Sequence, residues 1–125
     1  MKPIGNGDVI IDHTTALMWY QSGSSEYFSL RKANKWLKKA NKNRYAGFND
    51  WRLPTLEEAS SLLEFETKND SFIDPVFDNK QWGTWTGDKP DRGLAWIVTF
   101  VNGTISQGNV GAPATFVRPV RSLKL

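Results

Sequence analysis

The sequence predicts an α+β domain. Short apolar runs at 9–20 come first, two stretches with helical periodicity follow at 30–63, and strand-like runs return at 95–121. The late runs are joined by a tight turn, which leaves no room for crossover helices. Strands, then helices, then antiparallel strands argue against a parallel doubly wound sheet. At 125 residues the chain has the size of one domain, spanning 1–125.

Val9-Ile10-Ile11 and Leu17-Met18-Trp19-Tyr20 read as strands separated by the polar turn Asp12-His13-Thr14-Thr15. Gly5 and Gly7 loosen the approach to the first of them. Ser29 is a candidate N-cap for a helix from Leu30 to about Lys42. Its apolar residues Leu30, Ala33, Trp36, Leu37 and Ala40 fall within an arc of about 120°, with the basic residues opposite. Thr55 starts a second helix. Glu58, three residues on, completes a capping box, and Pro54 forbids an earlier start. Leu56, Ala59, Leu62 and Leu63 would be its buried face. Residues 67–93 carry many turn marks. Ala95–Val101 and Thr104–Ser106 form a hairpin across a two-residue Asn102-Gly103 turn, and Phe116–Arg121 is a last strand. Pro119 cannot donate to a ladder, so it belongs at an edge or bulge.

Composition excludes several chemistries. With 39% hydrophobic and 13% aromatic residues, the chain can bury a core. There is no apolar run of about eighteen residues to span a membrane. Nor does Met1–Asp8 hold a signal-peptide stretch. The absence of Cys removes disulfides, thiolate metal sites and cysteine nucleophiles. A single His, His13, leaves no His-rich metal site. The net charge of +3 conceals a dipole. Segment 29–45 has seven Lys and Arg and no acid, whereas segment 57–78 has seven acids and one Lys. A uniform basic stripe that would track nucleic acid is not indicated, so nucleic acid is not the expected partner.

Several blocks together resemble a known family. Asp12-His13-Thr14-Thr15-Ala16-Leu17-Met18-Trp19 resembles the opening motif of the domain at the C-terminus of Legionella collagen-like protein. Gly47-Phe48-Asn49-Asp50-Trp51-Arg52-Leu53-Pro54-Thr55 with Glu58 is similar to its most specific block. Thr84-Trp85-Thr86, the run Ala95–Phe100 with Asn102-Gly103, and Val117-Arg118 with Val120-Arg121 follow in the family's order, so the resemblance covers about residues 5–122. It implies a C-type lectin-like scaffold, similar also to the formylglycine-generating enzyme: two helices on a small twisted antiparallel sheet with long loops. It further implies a bacterial domain, often on secreted or surface proteins, that binds ligands or mediates attachment. Leu37 and Pro119 stand where family members often carry Cys, so the staple is missing and export is less strongly implied. The expected location is the cell surface if the chain is part of an exported parent, and the cytoplasm otherwise. The cysteine chemistry of the formylglycine-generating relatives is excluded outright.

Fold alone does not give function, so each candidate site has a structural reading beside the functional one. Asp50, Trp51 and Arg52 read as scaffold: the indole fills core and the guanidinium pairs with a carboxylate. Asn49-Asp50 and Lys89-Pro90-Asp91 resemble lectin calcium loops, but Lys89 would repel the ion, so no metal or cofactor is expected. Trp19, Trp36, Trp51 and Trp96 read as core. Trp82, Trp85, Asp88, Asp91, Arg92 and Asn109, in the late loops, are the expected ligand-binding residues; otherwise they are core and solvated turns. Arg31, Lys35, Lys38 and Lys42 are the candidate polyanion-binding residues, or an ordinary solvated helix face. His13 reads as solvated, and neighbours Glu57 and Glu58 cannot face each other as an acid–base pair. The resulting expectation is a non-enzymatic domain that recognises a glycan or surface protein through its late loops. The alternative is a structural domain that self-associates through the basic 29–45 and acidic 57–78 faces. A hydrolase with a carboxylate pair formed across loops is a third reading.

Overall fold

The computed structural model describes residues 2–4, 7–68 and 70–123; Gly5 lies outside them. The order is β1 (Lys2–Ile4), β2 (Val9–Asp12), β3 (Leu17–Tyr20), α1 (Leu30–Lys42), a 3-10 turn (Tyr45–Gly47), α2 (Leu56–Ser60), β4 (Gly83–Trp85), β5 (Leu94–Thr99), β6 (Thr104–Asn109) and β7 (Val120–Ser122). The α+β class is as expected, but there are two sheets rather than one. Strands β1-β2-β3-β7 form one and β4-β5-β6 the other, with neighbours antiparallel in both.

The predicted last strand is where the difference arises. Only Val120–Ser122 pairs regularly, with Leu17, Met18 and Trp19 of β3. Residues 115–119 thread between the sheets and spread their backbone bonds over several elements. Phe28 N–H donates to Thr115 O, Trp85 N–H to Phe116 O, Ser24 N–H to Val117 O and Tyr20 N–H to Pro119 O. Arg118 N–H finds the Thr84 hydroxyl at 2.9 Å. Pro119, with no N–H, sits buried just before regular pairing begins.

Both helix starts follow the sequence. Ser29 Oγ accepts from Lys32 N–H, and Leu30, Ala33 and Leu37 are buried. The Thr55–Glu58 capping box is formed in both directions. The second helix stops at Ser60, earlier than the apolar pattern suggests. The Ser60 and Ser61 hydroxyls donate to the Glu57 and Glu58 carbonyls, and the Leu62 and Leu63 N–H groups turn to tighter i−3 bonds. Leu62 is nevertheless buried. The β5–β6 turn is longer than the predicted two residues, because pairing ends at Thr99↔Thr104. Phe100 leaves the ladder and enters the core, its N–H bonded to Trp82 O and its carbonyl to Phe72 N–H. Gly103, at φ +69, supplies the left-handed residue the turn needs.

Candidate functional site

The Asp50-Trp51-Arg52 block is built into the scaffold. Trp51 is buried, and its indole N–H donates to Tyr45 O at 2.9 Å. Asn41 of α1 grips its backbone from both sides, accepting from Trp51 N–H and donating to Trp51 O, each at 2.8 Å. The Arg52 guanidinium forks onto Glu58 at 2.6 and 2.9 Å, so it holds the carboxylate that caps α2. That hydrogen bond lowers the Glu58 pKa and raises that of Arg52. Asp50 receives a second fork from Arg121, whose guanidinium lies over the Phe48 ring. Two ion pairs thus pin the loop on either side of a buried indole.

Arg118 is a further structural residue, which the sequence marks only as part of the closing-strand motif. It is fully buried. Its guanidinium donates to the carbonyls of Gln21 at 2.6 Å and Asp78 at 2.7 Å, and more loosely to those of Tyr20 and Gln81. It lies over the rings of Phe77 and Phe100. Burial pulls its pKa down to about 9, with the Asp78 carboxylate opposing. Only an arginine, with five donors in a plane, could serve so many carbonyls at once.

The late-loop candidates do not gather into one surface. Trp85 is fully buried, its indole N–H bonded to Phe28 O, so it belongs to the core and not to an exposed recognition face. Gly83 reads as the start of a loop but opens β4. A Cβ there would meet the Thr115 hydroxyl oxygen at 2.6 Å and the Val98 carbonyl at 3.2 Å. Trp82 is half-buried, edge-on to Phe116, near the Thr99 end of β5. Asp88, Asp91, Arg92 and Asn109 lie at the opposite end of that sheet. Asp88 accepts from Leu56 N–H at the start of α2, Asp91 from Arg92 N–H, and Asn109 from Gly111 N–H. One side-chain oxygen of each is thus engaged by backbone, and Arg92 is exposed.

The structure instead joins that loop end to the basic face of α1. Leu30 N–H donates to Val110 O at 3.0 Å, anchoring the helix start on the loop after β6. A groove of about 560 Å³ opens alongside, lined by Leu30, Arg31, Asn34, Lys35, Lys38, Lys89, Val110 and Gly111. Four cations surround it and, among the described residues, no carboxylate lines it. Among the described residues, none of Arg31, Lys35, Lys38 or Lys89 has an ion-pair partner. Leu30 and Val110 give the lining an apolar part. Lys42, the fourth candidate on α1, is exposed but outside the groove. Lys89 is the member missed from sequence, where it figured only as a cation that would repel calcium. Its adjacency to α1 is long-range in sequence and has no local signature. Elsewhere, His13 is exposed in its turn. Among the described residues, no three His, Cys, Asp or Glu side chains come together as metal ligands. Also among them, no helix is long and apolar enough to cross a membrane.

A model of the Lcl C-terminal domain family matches residues 8–121, close to the span over which the motifs run. No curated protein and no solved structure matches the chain.

Proposed function

The chain belongs to the Lcl C-terminal domain family, and from the chemistry of the α1 groove we propose that it is a non-enzymatic binding domain for an anionic glycan. The observation that carries this reading is the ring of four unpaired cations around a groove with apolar walls. Sulfate and carboxylate groups along a sugar chain would meet the ammonium and guanidinium groups, while a ring C–H face would cover the half-buried Val110. The groove replaces the late-loop face as the recognition surface, although Lys89 keeps one late loop within it. The lectin-like description of the scaffold belongs to this proposal, supported by two helices set against antiparallel sheets with long connecting loops. The non-enzymatic part is supported by where the best-placed carboxylates go: Asp50 and Glu58 into ion pairs, Asp88 onto a helix start.

Titration calorimetry with a sulfated hexasaccharide, at low and high salt, tests it. A surface charge pair at about 4 Å is worth roughly 1 kcal/mol in water. The double reversal Lys35→Glu, Lys38→Glu therefore weakens binding at least about tenfold. Wild-type affinity falls as the Debye length shrinks from about 10 Å at 0.1 M salt. Unchanged affinity in the double variant refutes the reading. A second reading, self-association, has Phe65 in its favour, since this large apolar side chain is fully exposed in the acidic segment. Concentration-dependent sedimentation abolished by Phe65→Ser, with no glycan binding, would support it instead.

A further inference from the structure

The two sheets have four outer edges, and among the described residues three of them are blocked. β1 is three residues long and contains Pro3, which has no N–H to offer. β7 exchanges bonds with Arg52 on its outer side, in both directions. β4 is met by Phe116, whose carbonyl accepts from Trp85 N–H. The fourth edge, β6, is open. We propose that β6 pairs antiparallel with β6 of a second copy of this chain, across a two-fold axis at Ser106, so that two three-stranded sheets become one of six strands.

The free backbone groups follow from the register. Trp96 donates its N–H to Asp88 O and accepts from Thr86 N–H, so both its backbone groups point away from β6. That direction alternates along an antiparallel ladder. The β5–β6 bonds therefore fall at Ala95↔Gly108, Ile97↔Ser106 and Thr99↔Thr104. The N–H and C=O groups of Ile105 and Gln107 point outward, and none of the four has a partner among the described residues. Thr104, Ile105, Ser106 and Gln107 are all exposed, so no described segment covers them. The usual guards of an edge are missing too. Thr104–Asn109 holds no charged residue and no proline, and its register with β5 runs through six pairs without a bulge.

The same groups select the partner and the register. Asn109 is engaged, its carbonyl accepting from Ala112 N–H and its side chain from Gly111 N–H. Gly103, at φ +69, has left the extended conformation. Ile105 and Gln107 remain. A second copy satisfies all their outward groups when Ile105 of each strand faces Gln107 of the other, which places Ser106 opposite its own counterpart. The strand is uncharged, so self-pairing sets no like charges against each other. Ile105, 46% exposed, gains cover from the facing strand. The contact is isologous and closes at a dimer; the three blocked edges leave no strand for further growth.

This contact is smaller than a standard interface, so a dissociation constant of about 0.1–1 mM is expected. Sedimentation equilibrium of the full chain from about 10 µM to about 1 mM spans that range. Directly opposed Cβ atoms in the pair lie about 4.5–5.5 Å apart. Ser106→Lys and Ser106→Glu should therefore each stay monomeric throughout, with thermal midpoints near wild type because Ser106 is exposed. Mixed one to one, they should associate at least as tightly as wild type, since opposite charges then face each other. In wild type, the Ile105 and Gln107 amides should exchange with solvent several-fold more slowly at the highest concentration than at the lowest. Phe65→Ser should dimerise like wild type, which separates this edge from the acidic segment. Lys35→Glu, Lys38→Glu should do so as well, which separates it from the glycan groove. The proposal is overturned if wild type stays monomeric at about 1 mM, if either Ser106 variant alone associates like wild type, or if the mixture fails to recover association. A foreign strand on β6, or a contact through Phe65, would give no such recovery.

Discussion

Replacing Arg118 by Met keeps a flexible apolar stem of similar reach and removes only the guanidinium. The structure allows the cost to be worked out. Two short charge-assisted bonds, to Gln21 O and Asp78 O, are lost, together with two looser ones to Tyr20 O and Gln81 O. Each charged hydrogen bond is worth about 1.5–3 kcal/mol, and the contacts with Phe77 and Phe100 add to this. Against the loss stands the relief of no longer burying a charge that is not ion-paired, several kcal/mol in itself. Of the carbonyls left behind, that of Gln21 keeps its bond from Asp78 N–H, whereas those of Asp78 and Gln81 lose their side-chain donor. A carbonyl left without its bond costs about 1–3 kcal/mol, and relief of the buried charge offsets part of the sum, so the net expectation is about 2–4 kcal/mol of destabilisation. For a domain of total stability about 5–15 kcal/mol that is a large fraction. Urea denaturation followed by circular dichroism reads it as a lower midpoint with little change in slope. Arg118→Lys should fall between, because one ammonium has only three donors. If Arg118→Met unfolds within about 1 kcal/mol of wild type, the guanidinium is not what joins the 20–21, 78–81 and 118 segments.

Two other stability predictions follow from the geometry. Gly23→Ala places a Cβ 2.1 Å from the Val117 carbonyl oxygen, a backbone atom that cannot swing away. A loss of at least about 2 kcal/mol is expected, and a thermal midpoint within a degree of wild type would contradict the close approach. For Glu58, the Arg52 fork holds the folded pKa below the ordinary value of 4.5, so its contribution is present above that value and fades as pH falls through the folded pKa. Glu58→Gln should cost about 1 kcal/mol at pH 7, given the partial exposure of the pair. The gap from wild type should narrow as the pH is taken progressively below 4.5 in the same urea experiment. A gap independent of pH would show that the cap acts through shape rather than charge.

What could be read from sequence depended on whether the cause was local. Ser29, the capping box at Thr55 and Glu58, and the Leu30–Lys42 periodicity all encode structure within four residues, and all appear in the fold. The scaffold role of Trp51 and Arg52 was legible too, because a Trp beside paired Asp and Arg has few other uses. The failures were contacts set by distant partners. Phe116–Pro119 has the composition of a strand, yet it is shared among Tyr20, Ser24, Thr84 and Trp85. Trp85, two residues after Gly83, reads from sequence as a ligand contact or else core, and it is core: Gly83 lets β4 approach Thr115 and Val98. The groove likewise unites residues 30–38 with 89 and 110–111, which no local pattern connects. The helix contributes an unpaired charge row that composition did reveal. Its counterpart on the loop is a single lysine, and a single lysine carries no signal.

The most direct test of the binding account is a map of backbone and side-chain shifts during titration with a sulfated hexasaccharide. The account predicts that the largest changes cluster at Arg31, Lys35, Lys38, Lys89 and Val110, and that they collapse at high salt. Changes centred on Trp82 or Phe65, or none at all, would contradict it.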